Sequence, residues 1–319
     1  MLRTKLLVAT ATFLATSSVF WCSRVADARS SRKVEIAVTV DDLPGMGSLP
    51  ARSSRLRIAQ DMMRILRDQK VPAYGFANGV QLEADPPQVE VLKEWATAGF
   101  PIGNHTFSHP SLSKMDARTY VADIERMDRR LAALKLTGES LGARRVFRYP
   151  YLSEGDTLAK RDAVRRYLFT NQYRIAEVTV DYKDWAWNDA YTRCAARNDS
   201  TTLEVIRTRA QASARRHLEE SVKLARMLFG RDIRHILLIH MGAFEAAELG
   251  GIISEYRAAG VKFIALRQAM EDPAYEVNPN YPYKGKDKTF LQQIVESRKI
   301  NYPLDDQIDS PEKIAAICR

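Results

Sequence analysis

Val34-Glu35-Ile36-Ala37-Val38-Thr39-Val40-Asp41-Asp42-Leu43-Pro44-Gly45 decides how the rest of the chain is read. The run 34–40 is short, apolar and rich in β-branched residues, which reads as a buried strand. It ends in two carboxylates followed by a Leu-Pro-Gly turn. An open doubly wound sheet usually carries a glycine-rich phosphate loop at this point, and Asp-Asp-Leu-Pro-Gly is not one. Neighbouring residues on a strand point opposite ways. Asp41 and Asp42 therefore serve one site only where the strand ends and the chain turns.

Outward from this stretch, short apolar runs alternate with longer helical patterns. Strands are expected at 34–40, 73–77, 101–104, 145–147, 176–180, 235–239 and 262–265. Helices are expected near 53–69, 87–98, 116–135, 157–168, 202–229 and 245–259, with Gly230 and Gly260 as stop signals. The spacing of Ile58, Met62, Ile65 and Leu66 marks one helix face. Alternation of this kind implies parallel strands joined by right-handed crossovers. Seven strands without a phosphate loop point to an α/β fold of the (β/α) barrel type, incomplete or distorted. After Met270 the chain turns rich in Pro, Tyr, Asn and Lys, with one more helical pattern at 289–298. It holds too few apolar residues for its own core. The domain reading is a barrel over 29–270 and a wrapping extension over 271–319.

Parallel barrels collect their active sites at the C-terminal ends of the strands. Reading past each expected strand gives Asp41 and Asp42, then His105 and His109, then Arg148, then Asp181 and Asp184, then His240. Three of the chain's five histidines fall on that one face, which motivates a metal site. In His105-Thr106-Phe107-Ser108-His109 the imidazoles face the same way if the segment forms one helical turn. Pro110 disfavours a helical His109, so that turn must be local. The Thr106 and Ser108 hydroxyls are expected to bond the loop's own backbone. Joined to Asp42, the two histidines make a His₂-carboxylate set, the ligand count of a catalytic zinc site.

Five motifs stand in order: Thr39-Val40-Asp41-Asp42, His105-Thr106-Phe107-Ser108-His109, Arg148-Tyr149-Pro150-Tyr151, Asp181-Tyr182-Lys183-Asp184-Trp185 and Leu238-Ile239-His240. Together they resemble the motifs of the polysaccharide deacetylase family, carbohydrate esterase family 4, built on the NodB-homology domain. The likeness runs from about residue 34 to 268, and Val40 departs from the Phe common in the first motif. The resemblance implies a distorted (β/α)₇ barrel. It further implies that Asp42, His105 and His109 ligate a divalent metal, Zn²⁺ or Co²⁺. Asp41 is then the general base, oriented by Arg148. His240 is the general acid, tuned by Asp184. The Tyr151 backbone N–H assists the oxyanion, and Trp185 walls the pocket for the acetyl methyl. Either Asp181 or Asp184 could contact His240, and Trp187 could line the groove or sit in the core. His217 and His235 have no expected role.

Composition and termini set the context. With 45% hydrophobic and 27% charged residues the chain is globular. Arg3 and Lys5, an apolar stretch over 6–21 and Ala26-Asp27-Ala28 read as a signal peptide over 1–28; the alternative is an uncleaved membrane anchor. Its removal takes away three positive charges and one negative, so +9 becomes +7. The remaining basic pairs are scattered, which argues against a nucleic-acid partner. Cys194 and Cys318 survive cleavage, and an oxidising compartment permits one disulfide between them, two separate thiols being the alternative.

The expected activity is removal of acetyl groups, N-acetyl ahead of O-acetyl, from an acetylated glycan by a protein exported to the periplasm or secreted. A small-molecule amidase of the same superfold and a catalytically silent glycan-binding protein are the alternatives.

Overall fold

The computed structural model describes residues 33–136, 145–285, 287–303 and 309–319. The expected signal peptide over 1–28 lies outside the described residues. The strands are β1 (Glu35–Leu43), β2 (Ala73–Ala77), β3 (Ile102–Asn104), β4 (Arg145–Phe147), β5 (Tyr173–Ile175), β6 (Val180–Asp181), β7 (His235–His240) and β8 (Lys262–Phe263). Around them run α1 (Arg55–Asp68), α2 (Val80–Ala84), α3 (Val89–Thr97), α4 (Ala117–Ala133), α5 (Leu158–Thr170) and α6 (Asp184–Ala196). There follow α7 (Ser200–Phe229), α8 (Ala243–Ala258), α9 (Leu266–Met270), α10 (Phe290–Ser297) and α11 (Pro311–Ala315).

Every strand pairing is parallel, in the order β5-β4-β3-β2-β1-β7-β6, with β8 beside the start of β1. This curled sheet with helices outside is the expected distorted (β/α) barrel. The alternation of β1 sorts its side chains. Ile36, Val38 and Val40 pack outward against Ile58, Met62 and Leu66 of α1 and Ile252 of α8. Ala37 packs with Tyr74, Phe76, Val146 and Ile236 in a separate inner cluster. Asp41 is in phase with Ala37, so the strand period carries its carboxylate inward.

One expected strand, 176–180, is absent as such, and two short strands flank it. The intervening segment bonds Ala176 N to Phe147 O at 2.8 Å, then Thr179 N to Ile236 O at 3.0 Å. It thus passes from the β4 side to the β7 side and cannot ladder along a single neighbour. β5 and β6, consecutive in sequence, consequently lie at opposite ends of the sheet. The C-terminal chain covers this seam. Phe290 N donates to Val178 O at 2.7 Å, and Phe290, Leu291 and Ile294 of α10 pack on Leu224 and Ala225 of α7.

The helix α6 was not expected from the sequence. Trp, Asn, Asp, Tyr and Thr are mediocre helix formers, and tertiary burial stabilises the helix instead. Trp187 is fully buried, stacked 6.5 Å from Phe244, so it belongs to the core and not to a groove. From the far end of α6, Cys194 is disulfide-bonded to Cys318, with 5.5 Å between their Cα atoms.

Candidate active site

β1 does not end at Asp41. It runs on to Leu43, and its register against β2 shifts between Val40 and Leu43. Asp42 sits in that bulge with φ of 60°, a left-handed conformation rare for residues other than glycine. The bulge, not a turn beyond the strand, lets two neighbouring carboxylates face one cavity.

Asp42, His105 and His109 come together, their ligating atoms all within 4.8 Å of one another. Asp42 Oδ1 lies 3.1 Å from His109 Nε2 and 3.7 Å from His105 Nε2. Donors spaced so suit an ion about 2.0–2.2 Å from each. His105 Nδ1 is 2.8 Å from Arg148 O, which fixes the tautomer and leaves Nε2 as the ligand nitrogen. Burial holds the pKa of His105 down to about 3 and lowers that of His109 despite Asp42, so both rings are neutral, the form that binds metal. Burial works against Asp42 ionisation, but His109, His240, His105 and the Asn78 hydrogen bond at 3.0 Å outweigh it and lower its pKa. A nitrogen-nitrogen-carboxylate set in these protonation states fits a divalent cation.

The His105–His109 segment is not the helical turn expected. Thr106 and His109 have φ of 64° and 53°, and these left-handed residues turn the loop. Asp123 of α4 holds it from outside, accepting from Phe107 N and Ser108 N at 2.9 Å each and from Ser108 Oγ at 2.8 Å. Thr106 N donates to the Asn104 side chain at 2.8 Å, while the Thr106 hydroxyl is buried without a partner. The expected hydroxyl-to-backbone bonds are therefore replaced by a long-range carboxylate.

Arg148, fully buried, donates through Nη1 to both Asp41 oxygens at 3.1 Å. Its other donors go to Thr39 Oγ1 at 3.0 Å and Ala176 O at 2.6 Å, so the guanidinium is locked. Burial raises the pKa of Asp41 to about 6, against the pull of Arg148 and His240. On neighbouring β7, His240 is in register with Asp41. Asp184, at the start of α6, binds His240 twice, at Nδ1 (2.8 Å) and at the backbone N–H (2.6 Å). Burial opposes the charged ring, yet Asp184 prevails and the pKa rises to about 10. Asp181 instead pairs with Lys183 at 2.6 Å, which decides between the two aspartates.

Asp41, Asp42, His105, His109 and His240 line a cavity of about 410 Å³ together with Tyr151, Leu152 and Trp185. The Tyr151 ring packs edge-on to His109 at 4.7 Å. Three further residues at the site, Asn78, Asp123 and Asp287, were not read from the sequence. Asn78 directly follows β2 but is not ionisable, so a reading of titratable groups at strand ends passes over it; Asp123 and Asp287 are remote in sequence and carried no local signal.

The His₂-Asp cluster and the buried Asp41–Arg148 and His240–Asp184 pairs thus stand together near the strand ends of a (β/α) barrel. Residues 28–170 match the model of the polysaccharide deacetylase family, a span that holds Asp41, Asp42, His105, His109 and Arg148. A curated relative, the peptidoglycan-N-acetylglucosamine deacetylase of Bacillus cereus, is 29% identical over 167 residues, covering 52% of this chain and 52% of the relative. The chain thus spans about half the length of that relative. Among solved structures, the chitin deacetylase from the fungal pathogen Colletotrichum lindemuthianum is similar with a TM-score of 0.50 and 17% identity, over 75% of this chain and 88% of that one. A CE4 family pseudoenzyme from Bacillus anthracis gives 0.51 and 18%, over 75% and 66%. At such identities the structural likeness is one of fold.

Proposed function

We propose that this protein is a metal-dependent deacetylase acting on N-acetyl groups of an exported or envelope glycan. The observation that carries the reading is the pairing of a carboxylate and an imidazole across one cavity, Asp41 held by Arg148 and His240 held by Asp184. A glycan-binding protein has no use for that pair. Asp42, His105 and His109 would hold a divalent cation such as Zn²⁺ or Co²⁺, which would supply Lewis-acid polarisation of the acetyl carbonyl and a lowered water pKa. Asp41 accepts the proton of the attacking water at its carboxylate, and Arg148 fixes that carboxylate's direction. An amine cannot leave as an anion, so His240 delivers a proton from Nε2 to the departing nitrogen. Asp184 keeps that ring charged and oriented. The Tyr151 N–H serves the developing oxyanion and Trp185 walls the acetyl methyl.

Export is supported by the Cys194–Cys318 disulfide, since such bonds persist in oxidising compartments. Among the described residues no helix is long and apolar enough to cross a membrane. The test is acetate release from N-acetylglucosamine oligomers by Zn²⁺- or Co²⁺-reconstituted protein. Release should stop on chelation and in Asp41→Asn. Oligomers bound but left acetylated under every metal tried would favour the silent glycan-binding reading and remove ours.

A further inference from the structure

The two members of the proposed acid, His240 and Asp184, stand on different elements. Asp184 opens α6, and His240 ends β7, three residues before α8 begins. Both Asp184 oxygens are committed to His240, one to Nδ1 and one to the backbone N–H. That double contact holds only while the start of α6 keeps its place beside the end of β7. Two further contacts flank it. The Tyr182 hydroxyl donates to Glu245 Oε1, and the Phe244 backbone N–H donates to Asn188 Oδ1 at 3.1 Å. Tyr182 lies two residues before Asp184 and Asn188 four after it, while Phe244 and Glu245 share the first turn of α8. Lys183, left-handed with φ of 61°, turns the chain between Tyr182 and Asp184, so the tyrosine enters the core while the aspartate meets His240.

Glu245 is an unusual occupant of that core. It is 1% exposed, and among the described residues its Oε2 is buried without a hydrogen-bond partner, as is Nδ2 of Asn188. A buried carboxyl with one oxygen unmatched costs more stability than an apolar side chain of the same shape. Packing alone therefore does not account for a glutamate here. The groups acting on it are Asp184 and Tyr182 from the α6 side, His240 on β7 and Glu248 on α8, and it acts in turn on Tyr256. None of these is a lysine or arginine. Burial first, then the Asp184 charge, raises its pKa well above the carboxylate range, so the side chain stays protonated. In that form it adds a hydrogen bond without a second negative charge beside Asp184. Resting on the deacetylase reading, we infer that Glu245 is a positioning residue for the reaction: with Tyr182 it forms an uncharged staple that acts through Asp184, holding that carboxylate against His240.

The titration of the His240 ring, followed by NMR on the zinc-loaded full chain, tests this together with the pH profile of kcat/KM for acetate release. His240→Gln identifies the resonance. Glu245→Ala and Tyr182→Phe should each lower the pH at which the ring loses its proton by about one unit or more, and move the alkaline limb of the profile with it. Glu245→Gln keeps an uncharged acceptor for the tyrosine and should leave both within about 0.3 units of the wild type. Tyr182→Phe removes a single oxygen from the core, so it decides the matter if Glu245→Ala does not fold. A His240 titration unmoved in Tyr182→Phe overturns the inference whatever the fall in Tm, because the staple is then structural alone. A shift in Glu245→Gln as large as that in Tyr182→Phe also overturns it, because the carboxyl then acts as a charge. The titration needs no turnover, so the two readings fail separately. A shifted titration without acetate from any preparation removes the deacetylase and leaves the staple; acetate release with an unmoved titration does the reverse.

Discussion

Asp184→Asn isolates the electrostatic support of the proposed general acid. Asp184 meets His240 at 2.8 Å and 2.6 Å, and it is first among the groups that raise the His240 pKa to about 10. Asp42 and Asp41 add smaller contributions, which a bound cation opposes, so the Asp184 share is what the variant removes. The sign follows from the chemistry: a raised pKa keeps the ring protonated until pH climbs through the raised value. Without Asp184, burial is no longer offset, and the pKa falls to about 6.5 or below. At pH 8 a ring with a pKa of about 6.5 is protonated in only about 3% of molecules, against nearly all in the wild type. Acetate release at pH 8 should then fall about 30-fold, while at pH 6 the loss should shrink to less than about 2-fold. The assay is a pH profile of kcat/KM for both proteins at saturating metal. A uniform loss at every pH, with the alkaline limb unmoved, would refute the role of Asp184 in setting the acid and leave it only a structural one.

The remaining expectations are simpler to state. His105→Ala combined with His109→Ala should abolish both metal content and the metal-induced rise in Tm, which at 100-fold excess over Kd corresponds to about 2.7 kcal/mol; undiminished metal content would remove the site. His235 is fully buried and burial lowers its pKa to about 4, so the unfolded chain takes the proton first as pH falls below about 6.5. The resulting loss of stability grows to about 3 kcal/mol near pH 4, and denaturant melts of His235→Gln should show a correspondingly flatter pH dependence. A methyl group at Gly79 would lie 2.2 Å from the Phe107 ring, inside the loop between the two histidines. Gly79→Ala should thus cost about 1–3 kcal/mol and weaken metal binding with it, measured by denaturation and by metal titration. Cys318→Ser opens a link spanning 124 residues and should cost up to about 4–5 kcal/mol, read by denaturation.

The strands β1, β2, β4 and β7 were legible because each is a compact apolar run with a polar residue at its C-terminal end. The cluster of Asp42, His105 and His109 was legible for a related reason: the two histidines follow the end of β3, and Asp42 lies near the end of β1. What the sequence hid is of a different kind. The bulge at Asp42 depends on a register shift against β2, and pattern alone does not reveal register. The loop from His105 to His109 is shaped by Asp123, fifteen residues and one loop away, so local hydroxyls misled. The strand expected at 176–180 is apolar enough, but it bridges two sheet edges and has no single partner. Asp287 carried no signal at all, because its place at the cavity is set by two anchors on other elements, Tyr283 N to Gly155 O and Phe290 N to Val178 O.

Left-handed backbone occurs at Asp42, His109, Tyr151 and Leu152, which line one cavity, and at Thr106 and Lys183 in the loops beside them. Aspartate and histidine visit this region more readily than most residues, whereas Thr106, Tyr151, Leu152 and Lys183 are of types that rarely do. Each imposes a local penalty of order 1 kcal/mol, borne by the surrounding barrel. A search for stabilising changes would therefore be drawn to these very positions, glycine or asparagine being the favoured replacements. At Asp42 and His109 such a gain in robustness removes a proposed metal ligand. At Thr106 and Lys183 it leaves the ligands in place but loosens the loops that aim them. The sturdiest version of this barrel and the most active one are consequently different sequences, and they part company at the mouth of the barrel, not in its core.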